Sequence, residues 1–120
     1  MRDELAAAEL AGFTGTEHRF RHAINREVLL TDGVKYVADR AGAYWLLDEI
    51  ALIQSCDKHV AAQEFQVWRL NVNADMSAAL VCEDGNDNVV FRKQIPYTDF
   101  PGEGITFWFT GNTILLPSEY

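Results

Sequence analysis

Five side chains in this sequence could serve as soft metal ligands or as a nucleophile and base: His18, His22, Cys56, His59 and Cys82. His18 and His22 stand four residues apart in TGTEHRFRHAI, residues 14–24, with Glu17 directly before the first. On a helix that spacing brings two imidazoles to one face, where they can share a zinc ion. The metalloprotease pattern, however, needs a glutamate between the pair, immediately after the first histidine. Here Arg19, Phe20 and Arg21 fill the interval, and two cations oppose a dication. The segment also alternates, with His18, Phe20, His22 and Ile24 on one strand face and Arg19, Arg21 and Ala23 on the other. In a strand the two histidines stand about 13 Å apart, too far to share one ion. Alternation thus predicts a strand, no metal at this pair, and a basic strip formed by Arg19 and Arg21.

Cys56 and His59 have the C-x-x-H spacing that a turn can fold around zinc, with Cys82 as a distant third ligand. A single such pair is a weak signal. Free cysteine behaves as a small hydrophobe, and both thiols are read as reduced and buried, with His59 facing solvent near a helix end. No third group is evident to turn Cys56 and His59 into a nucleophile and base. NVNADMS, residues 71–77, opens like a calcium loop, but Met76 stands where the glycine belongs and Cys82 where the bidentate glutamate belongs. Asp48 and Glu49 are adjacent on a predicted helix and point in different directions, so they form no acid/base dyad. Nucleophile-elbow, phosphate-loop, dinucleotide and paired C-x-x-C motifs are absent from the sequence. No catalytic residue, metal ligand or cofactor is assigned.

The elements that would position these groups follow from periodicity. DELAAAELAG, residues 3–12, has an acidic first turn, strong helix formers and a terminal glycine, the pattern of a short helix. VLL, 28–30, precedes Thr31 and Asp32, either of which can cap the next helix. Apolar positions at helical spacing then run from 33 to about 56, weakened at Gly42, which predicts two helices or one kinked helix. After residue 64 the period becomes two: FQVWRLNVN places Trp68, Leu70 and Val72 on one face. AALVC and VVFRKQIPY flank EDGNDN as a hairpin, and ITFWF and TILL read as further strands around a bend at Gly111 and Asn112. The fold class expected is α+β, with N-terminal helices packed on a C-terminal antiparallel sheet of about four to five strands, in one domain over 1–120.

Composition sets the function classes. The chain carries 10 Lys and Arg against 18 Asp and Glu, a net charge of −8. Residues 71–120 hold only Arg92 and Lys93 against seven carboxylates. Such a field repels phosphate backbones, so direct nucleic-acid binding is not expected, whereas a basic protein surface would be attracted. Glu83, Asp84 and Asp87 concentrate on the hairpin tip as a candidate contact for that partner. Trp108 and Phe107 are strand neighbours and must face opposite sides, so Trp108 is a candidate anchor for a protein partner. The Arg19 and Arg21 strip either pairs with carboxylates of the domain itself or marks where a partner or a second copy docks, so a homodimer is possible. No run is apolar enough to span a membrane, and acidic residues 3, 4 and 9 interrupt any signal peptide, so a soluble, cytoplasmic protein is expected.

TDGVKYVADRAGAYWLLDEIA at 31–51, FQVW at 65–68, EDGNDNVVF at 83–91, TDFP at 98–101 and LLPSEY at 115–120 look like a family of small uncharacterised bacterial proteins carried as a domain of unknown function. FTGTEHRFRH fits it too, so the resemblance spans nearly the whole chain. It carries no activity, cofactor or catalytic residue with it. Its association with phages and plasmids implies a dedicated inhibitor or interaction protein that blocks a basic, nucleic-acid-binding surface of a host or defence protein. The expectation is therefore a non-enzymatic acidic protein-interaction domain. The alternatives are a small metal- or thiol-dependent enzyme using the five soft ligands, and a small-molecule-binding domain with an aromatic-lined pocket.

Overall fold

Residues 18–120 are described by the computed structural model; the helix expected over 3–12, and Glu17, lie outside them. The chain runs β1 (Arg19–Arg21), β2 (Leu29–Thr31), α1 (Asp32–Ala41), α2 (Tyr44–Cys56), α3 (Lys58–Ala61), β3 (Phe65–Val72), β4 (Ala78–Glu83), β5 (Val89–Ile95), β6 (Gly104–Thr110) and β7 (Thr113–Leu115). A 3-10 turn, Pro117–Glu119, follows.

These strands form one seven-stranded sheet in the order β1-β2-β7-β6-β3-β4-β5. The α+β class holds, with two corrections to the expected layout. The sheet is larger than four to five strands and is mixed rather than antiparallel, because β2 pairs parallel with β7 through Leu29↔Thr113 and Leu30↔Ile114. The described helices lie in the middle of the chain, between β2 and β3, rather than ahead of the whole sheet. β1 falls in the segment whose alternation predicts a strand and β7 in TILL. That β1 and β2 join the C-terminal strands in one sheet rests on the parallel pair, which needs a long crossover, here the rest of the domain.

Local sequence explains the joints. Thr31 caps α1 by accepting from the Val34 N–H, and Gly42 ends it in the left-handed conformation at φ 63, as helix punctuation requires. Gly111 and Asn112, at φ 56 and 60, form the two-residue turn joining β6 to β7; two successive positive φ values match the twist of the flanking strands. Gly104 is mandatory at its place, since a Cβ there would lie 1.7 Å from the Leu70 carbonyl oxygen.

Strand parity divides the sheet. Leu30, Trp68, Leu70, Leu80, Cys82, Phe107, Phe109 and Ile114 face the helices and pack with Val34, Val37, Leu46, Leu47, Ile50 and Val60 in one core. Each large apolar side chain so buried contributes about 1.5–3 kcal/mol. Within it Gln66 is fully satisfied: Oε1 accepts from Gln54 Nε2 at 2.8 Å and Trp68 Nε1 at 2.9 Å, and Nε2 donates to the Val60 carbonyl at 2.8 Å. That network ties α2 and α3 to β3 without leaving a buried polar atom unpaired.

Candidate interaction surface

The paired histidines separate. His22 is 4% exposed and leaves the end of β1 towards α2, where Nε2 lies 2.8 Å from Asp48 Oδ1. Its Nδ1 accepts from the backbone N–H groups of Ile24 and Asn25 at 3.1 and 3.0 Å. Because Nδ1 accepts twice, the ring proton sits on Nε2 and is donated to Asp48. Neither nitrogen is left for a substrate, so this His–Asp pair fastens the β1–β2 loop to α2. His18 is exposed, its Nδ1 3.7 Å from Asp32 Oδ2 at the start of α1. The two imidazoles are thus committed to carboxylates on different helices.

The thiols also part. Cys56 is exposed at the end of α2, contrary to the expectation that both cysteines are buried; Cys82 is buried in β4, as expected. Cys56 ends a helix whose buried positions are Leu46, Leu47, Ile50 and Ala51, and it falls outside that face. Burial pushes the Cys82 thiol up to about 12, with further contributions from the carboxylates of Glu83, Asp84 and Asp57. A thiol so raised is no nucleophile near neutral pH. Among the described residues no three His, Cys, Asp or Glu side chains converge where a metal ion could be held. Asp48 and Glu49 diverge, Glu49 accepting from Lys93 Nζ at 2.8 Å.

At one end of the sheet the charge collects. Asp57, from the junction of α2 and α3, and Glu83 and Asp84, from the β4–β5 hairpin, all act on the Cys82 thiol and raise it, and Asp87 lies further along the same hairpin. Asp57 Oδ1 caps α3 by accepting from the His59 and Val60 N–H groups. Asp84 is spent largely on the hairpin itself: its oxygens accept from the Asn86 and Asn88 N–H groups and from Asn88 Nδ2, and the Asn86 N–H above all holds its carboxyl below the usual range. Glu83 accepts from Arg69 Nε at 3.3 Å. Asp87 stands exposed at the tip with φ 65.

Trp108 lies on the sheet face opposite the helices, half-buried, as its parity with buried Phe107 requires. Its ring centroid is 5.1 Å from Phe65 and 5.4 Å from Tyr120, and Phe65 and Tyr120 are 5.8 Å apart, all edge to face. Such pairs are favourable beyond their buried area. Val67, opposite Trp108 on β3, and Leu115, opposite it on β7, flank the cluster. Tyr120 and Phe65 are additions that sequence reasoning missed. The LLPSEY ending pointed to Tyr120 only as a family signature, and Phe65 needed the register of β3 against β6.

A second missed residue is Glu119, which lies beneath Tyr120 and is 9% exposed. Its Oε1 accepts from Thr31 Oγ1 at 2.6 Å and the Leu116 N–H at 2.9 Å, and Oε2 from the Gly33 N–H at 3.1 Å. The last residues of the chain therefore plug the N-terminus of α1 with a carboxylate, the charge sign that end of a helix favours. Gly33 leaves room for the plug, since a Cβ there would come within 2.7 Å of Leu116 and 2.8 Å of Glu119.

Helices on one side of a seven-stranded mixed sheet, with an aromatic patch on the other, define a small α+β domain. Residues 4–120 match the family of unknown function DUF6876, and the chain belongs to that family. Two of the segments that carry the family resemblance, TDGV and LLPSEY, are the ones joined by Glu119. No match was found among curated proteins or among solved structures. Among the described residues no helix is long and apolar enough to cross a membrane.

Proposed function

We propose that this chain is a non-enzymatic protein-interaction domain whose acidic end engages a basic surface on another protein and competes there with nucleic acid, as an inhibitor of that surface. The observation that carries the reading is that Asp57, distant along the chain, acts on the same Cys82 thiol as Glu83 and Asp84 of the hairpin, whose exposed tip carries Asp87 as a fourth carboxylate. Like charges held together at one end repel each other in the free protein and are relieved by a cationic partner. The engagement of both His22 nitrogens and the raised Cys82 thiol weigh against the thiol and acid/base alternatives.

Asp57→Asn with Asp87→Asn is the appropriate variant. Asparagine caps a helix as well as aspartate does and tolerates the left-handed conformation of residue 87, so charge is lost and structure kept. A partner captured from the native host is titrated calorimetrically at about 50 and about 500 mM salt, where screening lengths differ roughly threefold, with and without labelled DNA. Affinity should fall at high salt and in the variant, and the domain should displace the DNA. An unchanged affinity in both sinks the reading.

A further inference from the structure

The sheet face away from the helices has the charge opposite to the rest of the molecule. Arg19 on β1, Arg21 on β1, Arg69 on β3 and Arg92 on β5 share it by register, through Arg19↔Thr31, Arg21↔Leu29, Arg69↔Val81 and Val81↔Arg92. The strands contribute one carboxylate to this face, Glu83, and Arg69 pairs with it. Arg21 donates to the Arg26 carbonyl. The Arg19 and Arg92 side chains are exposed and make no ion pair or hydrogen bond with the described residues. Between them lie the Phe65–Trp108–Tyr120 rings and the aliphatic side chains of Val67, Val81 and Leu115, which stand apart from the helix-side core. Beside the rings a cleft of about 320 Å³ opens, walled by Arg19, Thr110, Thr113, Leu115 and Tyr120, with Glu119 turned to its own donors.

We infer that this face docks an extended acidic protein segment, crossing the strands with an apolar side chain in the cleft against Leu115 and Tyr120, next to the Trp108 ring, and a carboxylate at each end on Arg19 and Arg92. Exposed arginine beside tryptophan and tyrosine is the residue set that dominates binding energy at protein interfaces. The length follows from the strand order: β1 and β5 are the outermost of seven strands, so six spacings separate them, about 29 Å. At about 3.3 Å per residue an extended segment needs roughly nine residues to span the two arginines. Charge complementarity selects this occupant. A second copy docking face to face would bring arginines onto arginines. A nucleic-acid strand carries a charge at every nucleotide, whereas this face offers unpaired cations only at its two ends, with an apolar stretch between them that suits a segment charged at its ends.

The surface differs from the acidic end and takes a partner of the other sign, so its test is independent. A nine-residue peptide with two glutamates at each end and a Leu-Phe-Leu centre is titrated into the 15N-labelled chain. The Trp108 indole and the Arg19 and Arg92 signals should shift while those of α1 and α2 stay in place. Arg19→Gln with Arg92→Gln should weaken binding tenfold or more at unchanged melting temperature, and Asp57→Asn with Asp87→Asn should leave it unaltered. Four outcomes overturn the inference: shifts confined to the helix side; no saturation at millimolar peptide; an oligothymidylate of equal length occupying the face more tightly; or sedimentation equilibrium showing that a second copy covers it.

Discussion

Removing the Glu119 carboxylate is the sharpest test of how the chain closes on itself. In Glu119→Ala the Gly33 and Leu116 N–H groups and the Thr31 hydroxyl lose their shared acceptor. Hydrogen bonds to a charged group contribute about 1.5–3 kcal/mol each, and an abandoned buried donor costs about 1–3 kcal/mol. Exposed Pro117, Ser118 and Tyr120 flank the site, so water can replace part of the loss, and Thr31 still caps Val34, so the lower end of each range applies. A further ~0.3–1 kcal/mol comes from the helix terminus that the carboxylate complements. The expected cost is about 2–4 kcal/mol, a lowering of the melting temperature by roughly 6–20 °C for a domain of this size. Glu119→Gln keeps one acceptor oxygen and should lose about half as much. Circular-dichroism melts give the totals, and amide exchange at Gly33 and Leu116 localises them. A Glu119→Ala melt within about 2 °C of the parent, with those two amides as protected as before, would refute the plug.

Two further predictions concern single atoms. Cys82 should resist maleimide in the native chain at pH 8 while exposed Cys56 reacts, giving one label by mass spectrometry and two in denaturant. Since folding raises this thiol from 9.0 to about 12, its protonated form favours the fold: the contribution is complete below pH 9 and is lost as pH climbs through that window, so the stability margin over Cys82→Ala should narrow between those values. Gly104→Ala would drive a Cβ to 1.7 Å from the Leu70 carbonyl oxygen at φ 115, and a loss of about 4 kcal/mol or more is expected from so large a backbone conflict; a melt close to the parent's would contradict the β3–β6 register.

Much of the local structure was legible in the sequence. The break at Gly42, the cap at Thr31, the turn around Gly85 and the bend at Gly111 and Asn112 each follow from a residue's own backbone preferences. The opposed directions of Phe107 and Trp108 follow from strand parity alone. The seven-strand count did not, because β1 and β2 join the sheet only through the pairing of β2 with β7, a segment far along the chain. The histidine pair looked chemical for the same reason. Its spacing was visible, whereas Asp48 and the two backbone donors that saturate His22 became neighbours through packing.

The sequence by itself determined the charge of −8, the α+β class and which residues turn, cap and alternate, since these depend on composition and on neighbours within a few positions. Tertiary structure alone decided which groups meet. The parallel pairing of β2 with β7 brings Thr31 and Gly33 under Glu119, the β3–β6 register sets Phe65 edge-on to Trp108, and the junction of α2 and α3 brings Asp57 within electrostatic reach of Cys82 in β4. Those contacts join residues tens of positions apart, so they depend on how strands order themselves in a sheet, which no local propensity encodes. The separation of an acidic end from an arginine-bearing face is a product of that order, and TGTEHRFRHAI contributes to it through Arg19 rather than through its histidines.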